Sequence, residues 1–540
     1  MACETSKMGS VDSSPLRRTT PTPSSPVSRQ IPLLTRDEVA RRITSGLALF
    51  IHRCRVVNAT SWLSHHPGGS LAILHFVGRD ATDEVEAYHS PAALARMERF
   101  VVGRIALDPE TGWRPLTPPI ALGLVAHPDG VKGHWAREGR LVLGEEMLRP
   151  MAEETSEDVI VLSPQQLEPP SSDIDLKRER QRSLAYRQLK LKVKEAGLFD
   201  RPGPLVGYGW DIVRYIGLGG GAFGLFHITN GWIGKMISAL LLGFLYHQLT
   251  FVVHDAGHTG ITGDWWWDRV ISMTVASWIG GLSAGWWCDN HNIHHLVTNH
   301  PEHDPDIQHI PFFAISKDFF SSLWSTYYKR VMAFDIFSKT LISVQHRLYY
   351  IVLSLARFNL YALSYVYLFG PKPKHDAFWR YELLGVAFFW VYFGAMLRSL
   401  PSWKMRLAYL LVSHIASSPV HVQIVLSHFA CSTDDLGPTE SFPSRQLRTT
   451  MDVVCSEVVE FIHGGLHLQV THHLFPRLPR HNLRKASLLV KEYCAEQDLV
   501  YIEHGFVEGN RQVLGVLQEV ARQIQFLHTV AEAEVSHKLQ

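Results

Sequence analysis

The pattern of apolar and polar positions changes near residue 208. Downstream, apolar runs at 212–228, 232–253, 383–400 and 407–426 are each close to the length a helix needs to cross a bilayer. Two more, at 270–287 and 348–369, are interrupted by Gly, Ser, Arg or Asn and are expected to lie flat or insert partly. Upstream, a strongly charged stretch at 173–197 carries Leu and Val at helical intervals, which predicts an amphipathic helix ended by Gly197. From 108 to about 170 the chain is rich in Pro, Gly and charge, so 108–200 reads as a linker containing one helix. A mixed stretch at 31–107 has the size of a small domain. Residues 1–30 are Ser/Pro/Thr-rich without an apolar core, which predicts a disordered tail and no signal peptide. That leaves 201–520 as the membrane domain and 521–540 as a C-terminal tail. No internal repeat is visible.

Composition narrows the function. A chain of 540 residues exceeds one ordinary core and predicts two or three domains. A net charge of +1 gives no reason to expect a nucleic-acid partner. The six cysteines (Cys3, Cys54, Cys288, Cys431, Cys455, Cys494) form no close-spaced pair, which argues against disulfides and a Cys-based zinc site and fits reduced, cytosol-facing domains. Histidine is the anomaly. There are 30, and histidine is the commonest metal ligand.

Two of them frame the first domain: His66 in the turn His66-Pro67-Gly68-Gly69, and His89 in Ala87-Tyr88-His89-Ser90. Pro and Gly make a tight turn that lets backbone approach a flat ligand. Leu71, Ile73, Leu74, Phe76 and Val77 lie between and could line a crevice. Two axial imidazoles on a haem iron would leave no site for oxygen, so such a domain passes electrons only. The string HPGGSLAILHFVGRDATDEVEAYHS resembles the haem-binding core of cytochrome b5 domains. The resemblance implies haem b held by His66 and His89, with Gly78, Asp80, Ala81 and Thr82 matching the intervening motif. His65 and His75 match no ligand position. Upstream, Asn58 in Val56-Val57-Asn58-Ala59-Thr60 stands where the family usually has Asp, a change that could alter the local strand.

Three histidine clusters follow the apolar runs. His254 and His258 are spaced i, i+4 and face one side of a helix; His291, His294 and His295 are spaced i, i+3, i+4; Gln469 precedes His472 and His473. His428 follows a predicted span. Sharing one site requires the clusters to share one side of the membrane, hence an even number of spans before and between them. Two hairpins, four spans, satisfy this, as would six. Imidazole beside a bilayer is costly unless bound or functional, and eight converging imidazoles need metal. Neutral imidazole suits iron or zinc, but one tetrahedral zinc takes four ligands, so two irons fit the count.

The spacing resembles the H-x3-H, H-x2-HH and Q-x2-HH boxes of membrane fatty-acid desaturases, over about 35–520. Gln in the third box together with a cytochrome b5 domain resembles the front-end subgroup. Carried over, the iron ligands are His254, His258, His291, His294, His295, His428, His472 and His473, with Gln469 beside the second iron, directly or through water. Asp304 and Asp306 could orient ligand imidazoles or cap a turn. His247, His300, His303, His309, His421, His463, His467 and His481 lie near the boxes as candidates for supporting roles. The implied fold is an α+β cytochrome b5-like domain followed by an all-α integral-membrane desaturase domain with about four transmembrane helices, interfacial helices and a cytosolic cap.

The resemblance implies the chemistry. No side-chain base can deprotonate an unactivated methylene, so iron and O2 must remove the hydrogens, with two electrons from NADH through an NADH-cytochrome b5 reductase. A tethered haem domain would supply them at high effective concentration. The stretches 421–453 and 461–484 are similar to fungal delta-8 sphingolipid desaturases, implying a ceramide or glucosylceramide substrate in the endoplasmic reticulum membrane, with haem domain and boxes cytosolic. A front-end fatty-acyl desaturase acting at carbon 5 or 6, a hydroxylase, and a non-catalytic haem-bearing membrane protein are the alternatives. The complete set of box histidines argues against the last.

Overall fold

The computed structural model describes residues 31–126, 135–137, 162–201 and 203–538. The expected tail at 1–30 lies outside them. The first domain is built on a three-stranded antiparallel sheet, Leu49–His52, Arg55–Asn58 and Val101–Arg104, in that order. The first two strands register Leu49 opposite Asn58 and His52 opposite Arg55, and Arg53 takes a positive φ of 59° in the tight turn between them. Asn58 leaves the strand intact: its Oδ1 accepts from the Thr60 amide at 3.1 Å and the Thr60 hydroxyl at 2.6 Å, fixing the exit turn. The helix Arg36–Thr44 is N-capped by Thr35 and buries Val39, Ala40 and Ile43 against the sheet.

The segment expected as linker contributes to this same core. Trp113, Leu116, Ile120, Trp135, Leu162 and Leu167 are buried with Ile43, Leu49, Ile51 and Val77. The Trp113 indole donates to Gly78 O at 2.9 Å and the Trp135 indole to Ile43 O at 2.6 Å. Gly78, at φ +83°, is so close to Leu116 that a Cβ there would come within 2.7 Å of its side chain. Composition reads this stretch as polar; its few large apolar residues decide where it packs.

The charged helix Leu176–Glu195 forms as expected, capped by Asp175, with Gly197 left-handed at its end. Glu179, Ser183, Tyr186, Leu189 and Val193 make its buried face, and Tyr186 donates to Leu474 O at 2.7 Å. It therefore ties the haem-type domain to the third histidine cluster. At the other end of the chain, the expected tail from 521 continues the helix Phe506–Lys538, with Val520, Ala521 and Ile524 buried.

Among the described residues, three helices are long and apolar enough to cross a membrane: Trp232–Gly257, Ala377–Ser399 and Trp403–Leu426. The pair Gln345–Ser354 and Ala356–Leu368, bent by 68°, makes a fourth if counted as one span. The run at 212–228, expected as the first span, lies in the helix Pro204–Ile228, which does not reach that measure; that helix carries seven glycines, and Asp211 pairs with Arg214 and Arg480. It still forms a hairpin with Trp232–Gly257, where Ser238 donates to Ala222 O at 2.6 Å. Gly243 admits the helix Trp403–Ile415: a Cβ there would meet Ser413 O at 2.5 Å. The run at 270–287 is broken into the helix Trp265–Met273, a π-helical turn Thr274–Ile279 and the start of Ala284–Leu296. The break falls at Gly280 and Gly281, the latter at φ +70° with the Phe389 ring where a side chain would be.

Candidate metal centre and haem crevice

In the first domain, the His66 and His89 ring centroids lie 5.9 Å apart, their planes tilted by 38°. His66 Nδ1 donates to Gly69 O at 3.0 Å and His89 Nδ1 to Val85 O at 2.9 Å. Each ring is thereby oriented with Nε2 left to offer, and the two rings are too far apart to bond each other. Burial lowers both basicities, that of His89 to about 4 with a further contribution from His66, so both are neutral as metal ligands must be. This donor set fits a bis-histidine haem. His65 is exposed, and His75 packs on His303 with centroids at 4.7 Å, away from the crevice.

The three clusters converge. The helix Trp232–Gly257 delivers His254 at its last turn and His258 at its cap. The Trp287 ring lies where a Gly257 side chain would project, which explains a glycine between the two histidines. The helix Ala284–Leu296 is capped by Ser283, whose hydroxyl accepts from Trp286 N at 3.0 Å, and by Glu382 from the span Ala377–Ser399, which accepts from Gly285 N at 2.9 Å. This fixes the face carrying His291, His294 and His295. The short helix Gln469–Leu474 carries His472 and His473, its Val470 amide held by Asp452 at 2.8 Å. His254, His258, His291, His295 and His472 each bring one donor atom within 4.8 Å of the others; His294, His428 and His473 do the same; and Asp306 forms a third group with His291 and His294. The two histidine sets adjoin where His295 stacks on His473, centroids 4.1 Å apart.

The donor chemistry fits metal. His295 Nε2 lies 3.0 Å from His291 Nε2 and 3.1 Å from His472 Nε2, more nitrogens than neutral imidazole protons can pair. His254 Nε2, His258 Nε2 and His473 Nε2 are buried without a hydrogen-bond partner, each costing about 1–3 kcal/mol if left so. Burial, then the neighbouring imidazoles, holds His291, His295, His472 and His473 well below ordinary histidine basicity. Eight converging imidazoles in two adjoining sets, seven buried and His291 half-buried, suit transition-metal cations.

Residues 35–106 match the family model for a cytochrome b5-like heme/steroid binding domain, and residues 230–505 that for fatty acid desaturases. Proteins named delta 8-(E)-sphingolipid desaturase are similar over nearly the whole chain. That of Emericella nidulans is 41% identical over 92% of this chain and 95% of its own. Those of Kluyveromyces lactis, at 40% over 94% and 95%, and Candida albicans, at 38% over 92% and 97%, follow. The chain belongs to the fatty acid desaturase family. This desaturase is a membrane oxidoreductase with a fused cytochrome b5-type domain, and its two domain types imply haem and iron.

Around the boxes, the desaturase holds its imidazoles by their far nitrogens. His294 Nδ1 donates to Asp304 at 2.9 Å, His473 Nδ1 to Gln446 Oε1 at 2.9 Å and His428 Nδ1 to Thr449 O at 3.2 Å. Asp304 both orients His294 and caps a turn: its carboxylate also accepts from Asn299 N at 2.7 Å and Asp306 N at 2.8 Å. Burial opposes charge on His294, but Asp304 and then Asp306 outweigh it and raise its pKa to about 9. Asp255, between the first two box histidines, is tied to Tyr208 at 2.8 Å and to Arg480. Gln469 is buried one turn before His473 on the same helix.

The remaining histidines stand outside the two sets. His300 stacks on His303, and His309 lies on Phe429. His247 donates to Ile462 O at 2.8 Å, His463 bonds Gln423 at 2.6 Å, His467 lies 3.3 Å from Glu460, and His481 packs on Tyr208. His421 is half-buried, and its Nε2 is buried without a hydrogen-bond partner. Sequence reasoning did not find Gln446, Thr449, Glu382 or Asp452. Amides, carbonyls and lone carboxylates far from the boxes carry no spacing signature.

Proposed function

We propose that this desaturase introduces a delta-8 double bond into the sphingoid long-chain base of ceramide or glucosylceramide. The observation that carries the chemistry is the convergence of eight imidazoles, seven of them buried, into sets of five and three. On this reading His254, His258, His291, His295 and His472 hold one iron, His294, His428 and His473 a second, and Gln469 completes the second site directly or through water. His66 and His89 hold haem b in a domain whose motif lies within 31–107 and whose core takes in residues as far as Leu167, and 201–520, with the helix that runs on past it, forms the desaturase domain. When bound, the irons supply the oxidising power with which O2 takes two hydrogens from neighbouring methylenes, leaving a double bond and water.

The protein's own part is orientation and dryness. Asp304, Gln446 and Thr449 lock the tautomers that point Nε2 inward, and Glu382 and Asp452 fix the two short helices that carry the second and third boxes. Burial keeps water from the reacting atoms. Two electrons per turnover come from NADH through a cytochrome b5 reductase and the haem domain. Both domains face the cytosol from the endoplasmic reticulum membrane, where that reductant is available. Relatives named for delta 8-(E)-sphingolipid desaturation, about 40% identical over more than nine-tenths of the chain, support the substrate. The test is expression in a yeast lacking this activity, with mass spectrometry of long-chain bases. Delta-8 unsaturation in ceramides with unchanged free fatty acids is expected; new delta-5 or delta-6 fatty acids with unaltered sphingoid bases would overturn the substrate.

A further inference from the structure

The haem-type domain is docked on the box helices by both of its ligand segments. On the His66 side, Leu71 and Ala72 pack on Ile293 of the second-box helix and Val297 at its end, and Gly69 admits Asp289 so closely that a Cβ would lie 3.3 Å from its carboxylate. On the His89 side, Ala87 packs with Val470 and Leu474 of the third-box helix. Ion pairs close the same seam: Arg445 donates to Glu84 at 3.1 Å and Arg187 to Asp83 at 2.6 Å. Leu296, at the end of the second-box helix, is buried in the core of the haem-type domain. A seam this apolar and this paired is a bound state, not a passing encounter.

Tyr88 lies in its middle. Its neighbour in sequence is His89, and its ring meets His295 edge-on, with centroids 6.1 Å apart and planes at 77°. Among the described residues it is the ring of the haem-type domain that pairs with a box imidazole. Its hydroxyl is buried with no hydrogen-bond partner. A tyrosine that passed electrons by losing its proton would need an acceptor there, so the aromatic ring alone is left to act.

We propose that Tyr88 is the aromatic bridge by which each electron leaves the haem domain for the histidine boxes, along His89, Tyr88 and His295. This rests on the reading that His66 and His89 hold haem and the boxes hold iron. One electron passes at a time: the haem goes from ferrous to ferric, the box iron is reduced by one, and an external reductase re-reduces the haem. Two passages serve one double bond. Tyr88 is a positioning residue, since it touches a ligand and not the substrate.

The test uses the full-length, haem- and iron-loaded protein with its haem reduced anaerobically. It is mixed with O2 and a ceramide bearing a saturated long-chain base, and haem reoxidation is followed by its absorbance. Iron-free protein gives the background. Tyr88→Phe keeps the ring and should match wild type, while Tyr88→Leu and Tyr88→Met fill the space without a π-system and should slow reoxidation about tenfold. Haem spectrum and reduction potential should be unchanged in all three. A wild-type rate in Leu or Met, or a Phe variant as slow as Leu, would overturn the bridge. So would haem loss or a moved potential in both aliphatic variants, which would make Tyr88 a structural support. If wild-type haem reoxidises no faster than in iron-free protein, the underlying reading fails as well.

Discussion

Asp304→Asn probes the smaller histidine set without touching an imidazole. One carboxylate oxygen of Asp304 accepts from His294 Nδ1 at 2.9 Å and Asn299 N at 2.7 Å, and the other accepts from Asp306 N at 2.8 Å. An asparagine amide has one oxygen, so however it turns, its NH2 faces a backbone N–H, leaving one buried donor unsatisfied at about 1–3 kcal/mol. His294 meanwhile loses the charged acceptor that holds its tautomer. Loss of such a partner typically lowers metal affinity about 10–100-fold, or about 1.4–2.8 kcal/mol. Because His294 converges with His428 and His473, while the other five imidazoles form their own set, the loss should fall on one iron. Iron per chain, measured by elemental analysis beside the haem absorbance, should drop from two toward one with haem unchanged, and desaturation should fall with it. Two irons retained with full product would refute the role of Asp304. Loss of both irons from a protein that still inserts and binds haem would refute the separateness of the two sets.

Further outcomes follow from the same geometry. His258→Ala, His295→Ala and His473→Ala should each abolish the new double bond while membrane insertion persists; wild-type product from any of them removes that residue from the centre. Trp113→Ala should destabilise the haem domain by about 3–5 kcal/mol, because the indole is buried in its core and donates to Gly78 O; haem release during a thermal ramp reads this, and an unshifted midpoint would return the segment to linker status. Burial raises Asp452 to about 7, against hydrogen bonds from Tyr501 and Val470 N. A carboxyl raised in the folded state adds stability that is complete below its ordinary pKa of 3.8 and is lost as pH rises to about 7, so melting should weaken across that window. Asp452→Asn should flatten that slope, and an unchanged slope would assign it to another group.

Much of the chemistry is legible in one dimension because its geometry is local. The turn at His66-Pro67-Gly68-Gly69 and the seven-residue helix before His89 place their own histidines, and i, i+4 spacing puts His254 beside His258 whatever surrounds them. Expectation parted from structure where a few residues overrule composition. Trp113, Leu116 and Leu167 draw a polar-looking segment into the haem-domain core, and Asp211, Arg214 and seven glycines leave Pro204–Ile228 short of the apolarity expected of a first span.

By itself, then, the sequence determined which histidines stand together, since backbone periodicity sets their spacing on one helix or turn. Only the tertiary structure decided how they are shared. The partition into five and three, and the stacking of His295 on His473, join residues 178 positions apart along the chain, which helical spacing cannot relate. The same holds for the groups that aim them. Gln446 reaches across 151 positions to His295 O and across 27 to His473, and Glu382 across 97 to Gly285. A hydrogen bond depends on distance and direction in space, and a neutral amide advertises neither in its neighbours along the chain. The seating of Tyr88 against His295 is of that kind too: packing of apolar surface, non-directional and set by the whole seam, chose it.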